Sequence, residues 1–241
     1  MNDDRTPAPP LPPVDVRLAD RIPAEVVTPE FLSGLLVEGD VELATWALRI
    51  ALREQARDVV YDTLVRDAMR LVGDGWQEGR FTISEEHRAS QSLVRALEDV
   101  APAASPSDRI GPVAVLAAAE DEQHAIGLIL LEHVLREDGW SVAYLGQNVP
   151  AGDLVRFVTR ERCRLVALSV ALSERLGPLA GAVDALRALP EPPAIMVGGR
   201  ALERTGASPA GLRADWSGDS LQSARRFAAD LLRRLPQDPD A

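Results

Sequence analysis

Glu122, His124 and Gly127, followed by Ser169 and by the pair Gly198-Gly199, are the residues whose types and spacing suit a chemical task. A neutral imidazole can ligate a metal through one ring nitrogen while the other donates to a carboxylate, which fixes the tautomer and makes the ligand more basic. Glu122, two residues before His124, is placed to be that carboxylate. Gly127 would let a bulky group approach the start of a helix, and the glycine pair would do the same at the end of a strand. Gly127 and Ser169 are separated by 41 residues, Ser169 and Gly198 by 28.

Alternating strands and helices must position these residues. Apolar runs predict strands at 113–119, 141–145, 165–171 and 194–198, with a weak one near 214–217. Helices are expected over 125–138, 150–161, 177–188, near 201 and over 220–235. This rhythm predicts an α/β fold: an open, five-stranded parallel sheet with helices on both faces. Ligands of such sheets sit beyond the carboxyl ends of the strands, at the switch point. His124, Ser169 and Gly198 all follow or end strands, so they are expected to converge on one edge.

Upstream the texture is helical. Thr28-Pro29 reads as an N-cap with proline at the first helical position, opening a helix that ends near Gly39. Further helices are predicted from Val41 to about Arg53 and from Ala56 to Val72, with Gly73 as the stop. Thr82 and Glu85 form a capping box for a fourth. A four-helix bundle is therefore expected over 27–101, a linker over 102–111 and the α/β domain over 112–236. Residues 1–26 hold six prolines and read as a disordered arm.

Composition narrows the function classes. The formal net charge is -11 and none of the 26 basic residues is lysine, which excludes a P-loop lysine, a kinase strand lysine and Schiff-base chemistry. The acidic balance argues against direct DNA binding. No apolar run approaches the roughly 20 residues of a membrane span, and with no secretory leader visible a cytoplasmic location is expected. Cys163, the single cysteine, reads as a half-buried structural thiol. One cysteine and three dispersed histidines disfavour a structural zinc site. Trp46 and Trp140 are expected in the core, and His133 as partly exposed structure.

The order Glu122-x-His124-x-x-Gly127, Ser169, Gly198-Gly199 resembles the cobalamin-binding domain, whose pattern begins Asp-x-His-x-x-Gly. Trp76, nine residues and then Glu86-His87 add a second likeness. Together with the bundle, they resemble the light-sensing domain of cobalamin-dependent photoreceptor regulators of carotenoid synthesis. That resemblance covers about 28–235. Such regulators also carry Glu at the first position of the histidine motif, and a strand like Ala167-Leu168-Ser169-Val170-Ala171-Leu172-Ser173-Glu174. It implies a flavodoxin-like sheet and a corrin ring held between the two domains. Trp76 would cap a 5′-deoxyadenosyl group, Glu86 would bond its ribose, and His124 would ligate cobalt from below in place of the cofactor's own base. His87 would belong to the pocket, or else be an interface or capping residue.

Three departures accompany the likeness. A helix-turn-helix domain of the regulators is absent from residues 1–26, so direct operator binding is not expected. Gln77 stands where well-known photoreceptors have a histidine, and Ala171 replaces a leucine of the cobalamin domain. The expected function is a non-enzymatic adenosylcobalamin sensor, responsive to light and acting through a protein partner or a homo-oligomer. An alternative is a corrinoid methyl carrier holding methylcobalamin for a methyltransferase system. Trp76 with Glu86-His87 favours the sensor, because methyl transfer needs open access to the upper face.

Overall fold

The computed structural model describes residues 24–103, 111–205 and 211–235. Most of the expected arm and linker lies outside these residues. Ala24–Val26, expected as part of the arm, form a 3-10 turn.

Helix α1 (Pro29–Glu38) begins with Thr28 accepting from Phe31 N and Pro29 in the first turn, where its missing N–H costs nothing. It ends at Gly39, whose φ of 82° lets its N–H close onto Leu35 and Leu36. Asp40 caps α2 (Val41–Glu54). Helix α3 comprises Arg57–Val60, a π-helical stretch Tyr61–Val65, and Arg66–Gln77. It runs through Gly73, the residue expected to stop it. The true end comes where Arg80 N and Phe81 N fold back onto Gly75 O. Gly75 is required there, since a Cβ would lie 2.4 Å from the Phe81 ring. The Thr82/Glu85 capping box opens α4 (Ile83–Asp99). Leu32, Leu36, Leu48, Leu93 and Leu97 are fully buried between these helices, each contributing roughly 1.5–3 kcal/mol of burial.

The second half is a parallel sheet of β1 (Val113–Ala118), β2 (Ser141–Gly146), β3 (Leu165–Ser169), β4 (Ala194–Gly198) and β5 (Trp216–Gly218) in the order β2-β1-β3-β4-β5. Helices α5 (Ile126–Glu137) and α9 (Leu221–Arg234) cover one face, while α6 (Ala151–Glu161), α7 (Leu176–Arg187) and α8 (Arg200–Thr205) lie on the other. The chain leaves β1 for β2 on one side and returns to β3 on the other. The loops after β1 and β3 therefore part at a crevice. Register places Ala118 beside Ser169 and Ser169 beside Gly198, bringing three strand ends to one edge.

The bundle rests on α5 and α9. Leu128, Leu131 and Leu135 of α5 face the sheet, whereas Leu130 and Val134 join the bundle core. A helix with two apolar faces, each of them covered, is largely buried even though it carries the Glu132–Arg136 ion pair. His133, expected to be partly exposed, is accordingly buried, with Nδ1 2.7 Å from Tyr61 Oη. Asp62, also buried, accepts from Ser220 Oγ, Leu221 N and Gln222 N and so caps α9 from across the seam. Arg225 of α9 bonds both Asp58 of α3 and Asp138 after α5. Trp140 is fully buried, and Trp46 packs partly buried against the bundle core. Cys163 is buried, which pushes its thiol up to about 11 and leaves it inert. Among the described residues no helix is long and apolar enough to cross a membrane.

Candidate functional site

The loop after β1 carries Glu122 and His124. Glu122 is fully buried, yet four hydrogen bonds meet its carboxylate. Oε1 accepts from His124 N at 2.9 Å and lies 2.5 Å from His124 Nδ1. Oε2 accepts from Ala171 N at 2.8 Å and Leu172 N at 3.2 Å, both in the loop after β3. Burial alone would raise the pKa of this group, but the bonds from His124, Ala171 and Leu172 outweigh it and hold the carboxyl below its ordinary value. An ionised carboxylate only accepts, so His124 Nδ1 must be the donor and the neutral ring keeps its lone pair on Nε2. The ring is 60 % exposed. The ring is thus held through Nδ1 and otherwise open to approach.

Beside this loop a cavity of about 260 Å³ opens between α3, the start of α5, the strand ends and the start of α9. Gly127, Ser169, Gly198 and Gly199 line it. Gly127 has open space where a side chain would stand, as an approaching ligand requires. Gly199 has a backbone reason as well. Gly199 has φ of 122°, and a Cβ there would lie 2.1 Å from Val170 O. Backbone crowding between β3 and β4 demands this glycine. At Gly198 the nearest obstacle is Gly218 O at 3.3 Å.

Trp76 lies near the end of α3, and Glu86 and His87 lie in the first turns of α4. Trp76 occupies the last turn of α3 and is 45 % exposed, so it is not core. Asp74, two residues earlier, pairs with Arg200, the residue after Gly199. That contact ties the Trp76 end of α3 to the rim of the cavity. Glu86 is partly buried and accepts from Ser90 Oγ, while the exposed His87 ring lies 3.6 Å from Glu86. Among the described residues no hydrogen bond or ion pair links Trp76, Glu86 or His87 to His124. Tyr61 and Asp62 line the cavity, a role missed in the sequence, where α3 showed only its bundle-facing stripe. Asn148 and Gln147, which touch the histidine loop, were also missed. Their signal was a Gly-Gln-Asn-Val-Pro turn between β2 and α6.

Among the described residues no cluster of three or more His, Cys, Asp or Glu could hold a metal ion. A lone exposed imidazole suits a metal whose other positions are filled by a macrocycle, and the adjoining cavity, mostly apolar with Ser169 at its edge, suits a bulky appended group. The residues fit a corrinoid bound through His124.

Residues 30–99 and 112–209 each match a B12 binding domain family. The chain is 36% identical over 142 residues to the HTH-type transcriptional repressor CarH of Myxococcus xanthus, covering 58% of this chain and 47% of that protein. It is 36% identical over 121 residues to CarA of the same organism, covering 50% and 41%. The chain thus spans less than half the length of these curated relatives. Its fold is similar to that of the Methanosarcina barkeri monomethylamine corrinoid protein, with a TM-score of 0.69 at 18% identity over 86% of this chain and 98% of that one.

Proposed function

We propose that this chain, whose two folded halves are both B12-binding domains, is a light-responsive sensor that holds adenosylcobalamin with His124 as the lower ligand. The observation that carries the reading is the Glu122–His124 pair, with its bare Nε2, beside the cavity of Gly127, Ser169 and Gly198. Glu122 fixes the imidazole tautomer and makes the ring a better donor. The cavity would take the nucleotide tail displaced from the metal. Bound adenosylcobalamin supplies a cobalt–carbon bond that visible light breaks. Trp76, an exposed indole on the rim-tethered end of α3, would shield the adenosyl face, and Glu86 would accept from the ribose hydroxyls. His87 would stand at the pocket margin. Output would run through a protein partner or a second copy of the chain.

The test is an absorbance spectrum of the purified protein with adenosylcobalamin, in the dark and after green light. A bound spectrum that changes irreversibly, and a Trp76→Ala variant that retains less of the adenosyl form, are expected. The corrinoid methyl carrier remains the second reading, favoured by the two-domain fold. Tight binding of methylcobalamin with no preference for the adenosyl form would decide for it.

A further inference from the structure

We propose that Asn148 is a positioning residue for His124, holding the ligand loop from the β2 side as Ala171 and Leu172 hold it from the β3 side. The proposal rests on His124 being the lower ligand of cobalamin.

The sheet order makes two clamps possible. Strand β1 lies between β2 and β3, so the loop carrying His124 is flanked by the loops that follow both neighbours. On the β3 side the grip is on the Glu122 side chain. On the β2 side it is on the backbone. Asn148 Oδ1 accepts from Asp121 N at 2.8 Å, Asn148 N donates to Glu122 O at 3.0 Å, and Gln147 Nε2 donates to Gln123 O. Three consecutive residues before His124 are thereby tied to two residues of another loop. The next residue, Val149, continues the contact by donating to Ala118 O at the end of β1.

Both facing residues adopt left-handed backbone, with φ of 64° at Asp121 and 53° at Asn148. Asn and Asp tolerate this region better than other side chains. If backbone conformation were the only demand at position 148, glycine would meet it equally well. The side-chain oxygen does something glycine cannot: it reaches across 27 residues of sequence to the Asp121 amide. With the backbone fixed on one side and the Glu122 carboxylate on the other, the His124 ring is oriented before any ligand arrives. Preorganisation of this kind lowers the cost of binding and slows release.

The experiment compares wild type, Asn148→Gly, Asn148→Asp, Gln147→Ala and His124→Ala. Two measurements are made: amide hydrogen exchange over 121–125 without cofactor, and dark titration with adenosylcobalamin followed by absorbance. Asn148→Gly is expected to speed exchange and raise Kd roughly fivefold to tenfold, the effect of one lost hydrogen bond. Asn148→Asp keeps the acceptor and should behave as wild type. Gln147→Ala, an exposed change, should raise Kd about twofold to fivefold. An unchanged Kd in Asn148→Gly, or equal loss in Asn148→Asp and Asn148→Gly, overturns the role of Asn148 while His124→Ala still abolishes binding. If His124→Ala binds like wild type, the ligand assignment falls and this proposal with it.

Discussion

Tyr61 Oη lies 2.7 Å from His133 Nδ1 at the buried seam between the bundle and α5. Arg57 Nη1 donates to the same hydroxyl at 2.9 Å. Because the guanidinium can only donate, the hydroxyl satisfies itself by passing its own hydrogen to His133 Nδ1, which places the imidazole proton on Nε2. The two histidines of this half thus carry opposite tautomers. His124 has its lone pair on Nε2, for a ligand, and His133 has it on Nδ1, for a structural bond.

His133 is expected to make stability fall in mild acid. Burial, with Arg57 and Arg136 nearby, lowers its pKa to about 4, against about 6.5 in an unfolded chain. Between those values the unfolded state binds the proton and the folded state does not, so stability rises with pH there. The loss from pH 6.5 down to about 4 is on the order of 3 kcal/mol. Urea midpoints across that range should decline in wild type and flatten in His133→Gln, which retains a polar partner for Tyr61.

Asp62→Ala is expected to destabilise the chain by about 2–3 kcal/mol, because it leaves the Leu221 and Gln222 N–H groups and the Ser220 hydroxyl at a buried seam without their acceptor. Thermal unfolding should broaden or split as the two halves lose their coupling. Asp62→Asn, which keeps one acceptor oxygen, should lose less.

Glu122→Gln leaves the shape and changes the donor pattern. The amide oxygen can serve His124 or the Ala171 and Leu172 N–H groups, while the amide nitrogen must then meet a donor. Cobalamin affinity is expected to fall roughly 10-fold to 100-fold, and absorbance titration measures it. Affinity equal to wild type would show that the carboxylate is not what orients the ring.

Gly199→Ala is expected to cost about 3 kcal/mol or more, through an unfavourable φ and a collision with the Val170 carbonyl. Gly127→Ala meets open space and should leave the denaturation midpoint nearly unchanged while weakening cobalamin binding. The contrast separates a glycine needed by the fold from one facing the ligand.

Most of the fold was legible from local chemistry. The Thr28 and Thr82 caps, the apolar strand runs and the alternation after residue 112 all act over a few residues, where sequence speaks directly. What escaped depends on neighbours distant in sequence. His133 lies among the apolar residues of α5, and that was a readable sign of burial, but its partner Tyr61 is 72 residues away. Gly73 looked like a stop because glycine weakens helices. Packing against α1 and α4, with Gly75 receiving Phe81, carries α3 past it. In the site, the Glu122–His124 pairing followed from spacing. The grips of Asn148 and of the Ala171 and Leu172 amides did not, because backbone donors leave no mark in side-chain identity.

The π-helical stretch Tyr61–Val65 makes α3 a helix with a built-in turn of phase. A π turn takes in one residue more than an α turn, so everything beyond it is rotated by about 100° from where a regular helix would carry it. Tyr61 and Asp62 sit in the irregular turn and engage the α/β half. Trp76, about three turns further on, inherits its bearing from that offset. Straightening the stretch without removing a residue would therefore turn the terminal indole by about 100°, whereas deleting one residue between Tyr61 and Val65 would give a regular helix with Trp76 still on its present bearing.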